Sequence, residues 1–276
     1  MKIIADSGSL MSLEEATRLD VALVPLQVEL RGKNYKDYLD IDGKTFIGLI
    51  QNSVPISSQP AVGDVLNAFE SCKEGLFITL TKGLSSTYDS ALGIAQAHEA
   101  KHITILNSQT LAANEYYLVQ LAARLAKHHS ITEIVERIEA CKKECQSWLI
   151  PVDFNFLKRN GRLSLIAATM GGLLKLKAIV YHKPGMEKLE KFGAGRTWTQ
   201  VFDMIIEQLK ALHINHTHLI SISHALNEEV ALAFKQRVLE KLGNLDLRMV
   251  ELSPAMITQG GPGCVALQYI LRDDQD

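Results

Sequence analysis

The chain has 276 residues, 47% of them hydrophobic, which is enough to bury a sizeable core as one large or two smaller domains. Lys and Arg total 29 against 31 Asp and Glu, so no overall basic field exists to attract nucleic acid or an anionic membrane surface. No apolar run approaches the roughly 20 residues needed to cross a bilayer, and Met1-Lys2-Ile3-Ile4 reaches Asp6 too soon for a secretory leader, so a cytoplasmic location is expected. The four cysteines form no C-x-x-C pair, as suits a reducing compartment. Cys141 and Cys145 continue the apolar face of Ile134 and Ile138 at helical spacing and are expected in the core, not on a metal. The His128-His129 pair is expected in a solvated turn.

In chain order, Lys2 to Ala5 is a short strand, and Asp6-Ser7-Gly8-Ser9 a loop before a helix whose capping box is Ser12 and Glu15. Val21 to Leu30 is extended, with Pro25 marking an edge or irregular strand, and Arg31-Gly32-Lys33-Asn34 makes a turn. Tyr35 to Asp42 is a polar loop, and helices start near Lys44 and Ala61 on either side of Val54 to Pro60. Leu76 to Thr81 is a strand rich in β-formers. It ends at Lys82-Gly83, three hydroxyl residues follow, and a helical pattern resumes at Tyr88 and runs to about Glu99. Ile103 to Leu106 is another strand with a polar end, Asn107 to Thr110, followed by a helix to Lys127 and a second helix capped by Ser130 and Glu133.

Strands alternating with helices predict an α/β fold around a mostly parallel sheet, whose strand-end loops gather at one edge. On that geometry the hydroxyls of Ser7, Ser57, Ser85 and Ser108 are expected to converge. The Lys82–Tyr88 loop points free helix N–H groups into a crevice, and Ser85, Ser86 and Thr87 add hydroxyl donors. It has neither G-x-x-x-x-G-K-[ST] nor G-x-G-x-x-G, so a carboxylate or single phosphate fits it better than a nucleotide. A plain helix cap at Ser85 is the competing account.

Trp148 to Val152 closes this unit, and the boundary falls near Pro151, dividing the chain into residues 1–150 and a mixed α+β unit over 151–276. That second unit opens with the stretch Phe154 to Ser164, and a small-residue helix from Ser164 to Leu173 follows, ended by Gly171-Gly172. A hairpin of Leu176–Tyr181 and Met186–Phe192 turns at Lys183-Pro184-Gly185, and an amphipathic helix follows Arg196. His218–His224, a helix over Asn227–Leu242, Leu247–Leu252 and a last strand Cys264–Leu271 complete it.

Several of these loops together resemble the DegV family of bacterial fatty-acid-binding proteins, from Lys2 to about Ala266. The family's opening Asp-Ser loop is matched by Asp6-Ser7, its Thr/Ser-Ser-Gln-Pro motif by Ser57-Ser58-Gln59-Pro60, and its Gly-Leu-Ser-Gly-Thr-Tyr loop by Gly83-Leu84-Ser85-Ser86-Thr87-Tyr88. Asn107-Ser108 stands for a later Asp-Ser, Leu157 to Ser164 is similar to its Leu-Lys-x-Gly-Gly-Arg-Ile-Ser, and Gln259 to Gly263 to its closing His-x-Gly-Pro-Gly. The resemblance implies a two-domain α/β protein that does no chemistry itself and needs no cofactor. It buries one long-chain fatty acid between its domains and presents the carboxylate to a separate fatty-acid kinase. It also implies a ligand set of Ser57, Ser85, Ser86, Arg162 and Gln259 for the carboxylate, and Arg196 for partner docking. Gln259 replaces the family's histidine, Ser86 a glycine and Ala178 a proline, and Asn114 lies near a glycine position. A glutamine still donates a hydrogen bond to a carboxylate. The apolar stretch Ile166 to Leu173 is the candidate tunnel wall, with ordinary core packing as the competing account that sequence alone favours. The alternative is a binding module for another small anionic or lipid ligand. A nucleophilic Ser85 lacks the G-x-S-x-G elbow of a hydrolase.

Overall fold

The computed structural model describes residues 1–50, 53–159, 161–169 and 176–274. β1 (Lys2–Asp6) runs into a helical turn over Ser7–Ser9, and α1 (Leu13–Arg18) carries the expected capping box of Ser12 and Glu15. The extended stretch that follows is two strands, β2 (Val21–Val24) and β3 (Gln27–Leu30), in different sheets. They part at Pro25, which has no N–H for a ladder, and Leu26 N donates instead to Ser7 Oγ at 3.0 Å. The expected turn shrinks to Arg31-Gly32, and β4 (Lys33–Lys36) takes up part of the expected loop. α2 (Gly43–Leu49), β5 (Ile56–Ser58) and α3 (Val62–Glu70) lead to β6 (Gly75–Thr79) and α4 (Thr87–Ala97). β7 (Ile103–Asn107), α5 (Ala112–Leu125) and α6 (Ile131–Lys142), with Ser130 and Glu133 as its capping box, complete the first half.

β1, β2, β6 and β7 form a parallel sheet in the order β2-β1-β6-β7, while β4-β3-β5 is a small antiparallel sheet beside it. The fold is therefore α/β with a parallel sheet, plus a separate mixed sheet. The mixed sheet begins with β8 (Cys145–Ile150), which the sequence pattern assigned to the first unit. Short helices α7 (Asn155–Arg159) and α8 (Leu165–Ala168) precede the antiparallel pair β9 (Lys177–His182) and β10 (Glu190–Gly195). Then come α9 (Trp198–Ala211), β11 (His218–His224), α10 (Glu228–Leu242), β12 (Leu247–Glu251), α11 (Pro254–Gly260) and β13 (Val265–Leu271). The order is β10-β9-β8-β13-β11-β12.

Alternation along these strands sorts the residues by face. Trp148, Ile150, Ile220, Ile222, Val265 and Leu267 pack outward on Val201, Phe202, Ile205, Phe234 and Val238 of α9 and α10. Cys145, Leu219 and Ile270 face inward, onto α5, α6 and the parallel sheet. Cys145 shares that core with Cys141 as expected, but from the first position of a strand. His128 and His129 lie in the turn between α5 and α6.

Two buried carboxylates tie the strand ends together. Asp6 Oδ1 and Oδ2 accept from Gly8 N and Leu80 N, each at 2.8 Å. Asp37 Oδ2 accepts from Ser7 Oγ at 2.7 Å and its Oδ1 from Ala255 N at 3.2 Å, at the start of α11. Burial pushes the Asp6 carboxyl up from 3.8 to about 7 and that of Asp37 to about 6, against the lowering effect of these bonds. Both hold protons more tightly in the folded chain than in the unfolded one, so their contribution to stability is fully present below about pH 4 and is lost as pH rises to about 7. The buried rings of His182 and His224, whose values burial lowers, act in the opposite sense below about 6.5. Urea unfolding of the parent and of Asp37→Asn at steps from pH 4.5 to 7.5 separates them: the difference between the two proteins should shift in favour of the variant as pH rises and level off above about pH 6. A pH-independent difference would show that Asp37 carries no excess proton.

Candidate functional site

A cavity of about 320 Å³ lies between the carboxyl-end loops of the parallel sheet and the inner face of the mixed sheet. Leu80, Leu84, Leu111 and Ala112 line it from the parallel sheet, Leu149 and Ala266 from the mixed sheet, and Leu252, Ala255 and Met256 from the segment around α11. Leu26 and Leu189 also contribute, so the lining is mainly apolar, as ligand cavities of this size generally are.

The polar groups come from the loops. Ser57 and Ser58 sit on β5 with Gln59 just after them, Ser85 and Ser86 precede α4, Gln259 is near the end of α11, and Arg162 precedes α8; all line the cavity. Five residues nominated from the sequence, Ser57, Ser85, Ser86, Arg162 and Gln259, are thus brought together. Ser7 and Ser108 are not part of this convergence. Both are fully buried: Ser7 is spent on Asp37 and Leu26 N, and Ser108 bonds the amide and carbonyl of Thr110. Arg196 is exposed at the end of β10, away from the cavity lining, with its backbone N–H on Gln200 Oε1. Of the proposed tunnel wall, the Ile166 side chain and residues 170–175 lie outside the described residues. Ala167 packs with Leu157, Ala178, Val180 and Leu189.

Ser85 is not the residue that opens α4. The N-cap is Ser86, whose side chain makes no cap bond, whereas Ser85 Oγ accepts from Thr87 N at 3.2 Å and pairs with Thr87 Oγ1 at 2.8 Å. With Thr87 as the donor in that pair, Ser85 keeps its own proton for a ligand. Ser57 has the same freedom: its Oγ accepts from Gln259 Nε2 at 2.9 Å, leaving the hydroxyl hydrogen to donate. Gln259 commits its other amide hydrogen to Thr258 Oγ1 at 2.8 Å, and its Oε1 is buried without a partner among the described residues. The glutamine therefore orients Ser57, with both amide hydrogens already in use. Arg162 is half-buried, with Nε on Leu84 O at 3.4 Å, and burial lowers its pKa. No group of His, Cys, Asp and Glu among the described residues is arranged to hold a metal ion, and no described helix is long and apolar enough to cross a membrane.

Sequence reasoning missed the wall supplied by β8, β9 and β13. Ser147, His182 and Gln268 line the cavity from mainly apolar strands, and a polar residue on the inward-facing register of such a strand is the signal that marks them.

The model of the DegV family, described as a family of uncharacterised proteins, matches residues 1–272. A DegV domain-containing protein of Staphylococcus aureus is 26% identical over 98% of both chains. A DegV family structure from Thermus thermophilus, described by its fatty acid binding, superposes with a TM-score of 0.88 at 23% identity, covering 98% of this chain and 99% of that one. DegV of Bacillus subtilis, described as a fatty acid binding protein, gives 0.85 at 23% identity with the same coverage.

Gly83 sets how closely the loop approaches the β9–β10 connection. A Cβ there would lie 2.5 Å from Met186 O and 2.8 Å from Glu187 Cα, so Gly83→Ala should cost about 1–3 kcal/mol by displacing backbone. Gly93, within α4 and with open space around it, should gain about 0.5–1 kcal/mol on the same change. Urea unfolding of both variants checks the pair, and equal effects would mean that the loop yields without strain.

Proposed function

Because the family match spans nearly the whole chain, the protein belongs to the DegV family, and from that premise we propose that it binds one long-chain fatty acid, carboxylate towards Ser57, Ser85, Ser86 and Arg162. The observation that carries this reading is an apolar cavity lined at its loop end by the hydroxyls of Ser57, Ser85 and Ser86 beside one guanidinium, with Ser57 accepting from Gln259 and so keeping its proton to donate. Burying a tail of about sixteen carbons at ~0.8 kcal/mol per methylene contributes about 11 kcal/mol before an association cost of at least ~4. Charge-assisted bonds to the head add ~1.5–3 kcal/mol each, and without them a buried carboxylate is too costly. The tail supplies most of the affinity, and the hydroxyls decide which end of the ligand lies at the loops.

The protein is in this reading a carrier without chemistry of its own, and a separate fatty-acid kinase takes the presented carboxylate. Mass spectrometry of an organic extract from purified protein should find a stoichiometric acyl species. Neither such a species nor uptake of added fatty acid by delipidated protein would end the proposal. Ser85→Ala should weaken binding of a fatty acid roughly ten- to a hundredfold and of its methyl ester far less, because the ester keeps the tail but presents no carboxylate. Equal losses for acid and ester would leave Ser85 as a support for the loop. For Arg196, exposed and outside the lining, Arg196→Ala should preserve fatty-acid binding and abolish acyl-phosphate formation with the kinase; loss of binding would place its role in the cavity instead.

A further inference from the structure

The inner face of the mixed sheet carries a transverse polar row. His182, Ser147, Gln268 and Ser221 are register partners across β9, β8, β13 and β11, and each is at least nine-tenths buried. The first three line the cavity. Gln268 is fully engaged: Oε1 accepts from Ala113 N at 2.9 Å, and Nε2 donates to Leu111 O at 2.9 Å and Ser147 Oγ at 2.6 Å. It docks the start of α5 on the sheet.

Ser147 and His182 are different. Ser147 Oγ accepts from Gln268, which leaves its hydroxyl hydrogen without an acceptor among the described residues. His182 Nε2 lies 3.1 Å from Met186 O, and a carbonyl only accepts, so Nε2 carries the proton. The ring is 1% exposed and held neutral by burial, which leaves Nδ1 as an acceptor with no hydrogen-bond partner among the described residues. One unspent donor and one unspent acceptor thus stand opposite each other, with Cβ atoms about 4.5–5.5 Å apart as strand partners are.

The row also has a position relative to the loops. Gly260, next to Gln259, packs so closely on Leu149 that a Cβ there would lie 3.3 Å from Leu149 Cδ1. Ser147, two residues before Leu149, and Gln268, two after Ala266 on the antiparallel strand, lie about 6.7 Å farther from Gln259 along the strands. An apolar step therefore separates the loop hydroxyls from the polar row.

We propose that Ser147 and His182 form a second polar station that recognises a hydroxyl group carried on the acyl chain, making a hydroxy fatty acid a preferred ligand of this cavity. The inference rests on the fatty-acid reading above. A hydroxyl is the group that both donates and accepts: it takes the Ser147 proton on its oxygen and gives its own to His182 Nδ1. A plain methylene at that place leaves both protein groups unpaired, which buried polar groups tolerate poorly.

The test is competition on delipidated full-length protein between octadecanoic acid and a series of hydroxyoctadecanoic acids, with the hydroxyl stepped from mid-chain to the terminal carbon. One member of the series should bind about tenfold tighter than octadecanoic acid, as two neutral hydrogen bonds provide. Ser147→Ala and, separately, His182→Phe should bring that ratio close to one, whatever each does to the two affinities alone. Plain acid bound with no member preferred overturns the station, as does a preference that survives both substitutions. The first outcome is also the one expected if a fixed water fills the row. If no acid binds at all, the fatty-acid reading fails, and this inference with it.

Discussion

Buried Asp6 and Asp37 are the constraint from which the rest of the site follows. Between them they fix the ends of β1 and β6 through Gly8 and Leu80, and they fix the turn after Pro25 through Ser7 and Leu26, and the start of α11 through Ala255. An unmade bond to a buried backbone N–H costs about 1–3 kcal/mol, so each contact specifies geometry as well as stabilising it. The carboxylates are held partly protonated by the same burial that makes them effective clamps. Glu115, fully buried on α5 with no partner for either carboxylate oxygen among the described residues, is likewise pushed up, by burial first and the Asp6 charge second.

The second constraint is where α5 begins. Ala112 lies on the cavity wall in the left-handed region, φ 54°, a conformation that costs an alanine on the order of 1 kcal/mol. Gln268 holds it from both sides, through Leu111 O and Ala113 N, and Asn114 Nδ2 reaches Tyr269 O at 3.0 Å on the same strand. α5 and α6 then cover Cys145, Leu219 and Ile270, while Leu149 and Ala266 remain along the cavity. The void exists because one sheet face is roofed by helices over part of its area and by loops over the rest.

How legible this was depends on how local the signal is. Capping boxes at Ser12–Glu15 and Ser130–Glu133 and the loop at Gly83–Thr87 are written within a few residues, and each is where the sequence puts it, whereas β4, α7 and α11 were not read. The partition of Val21–Leu30 between two sheets and the transfer of β8 to the mixed sheet were not legible, because pairing partners lie tens to more than a hundred residues away. Convergence of strand-end hydroxyls was half legible. Ser57 and Ser85 resemble Ser7 and Ser108 in sequence, and only burial distinguishes a hydroxyl that braces a loop from one that faces the cavity. Asn114, noted only as a departure from a glycine, serves as one of the supports of α5.

On the proposed reading, Gln259 at the position where the resemblance implies a histidine changes how a head group would be held. A histidine near its ordinary value of about 6.5 alternates between donor and cation across neutral pH, whereas a glutamine offers two hydrogens and one oxygen at every pH. Here both hydrogens are committed to Ser57 and Thr258, so Gln259 acts by fixing the lone pairs of Ser57 and directing its proton outward. On the proposed reading, charge recognition rests on Arg162, a guanidinium that stays protonated at ordinary pH, and on hydroxyl protons that do not titrate. None of these donors among the described residues changes charge near neutrality. The tail contributes the same burial free energy whatever the charge of the head group. A site of this kind separates its two tasks, with apolar walls setting how tightly an acyl chain is held and pH-invariant donors setting which end faces the loops.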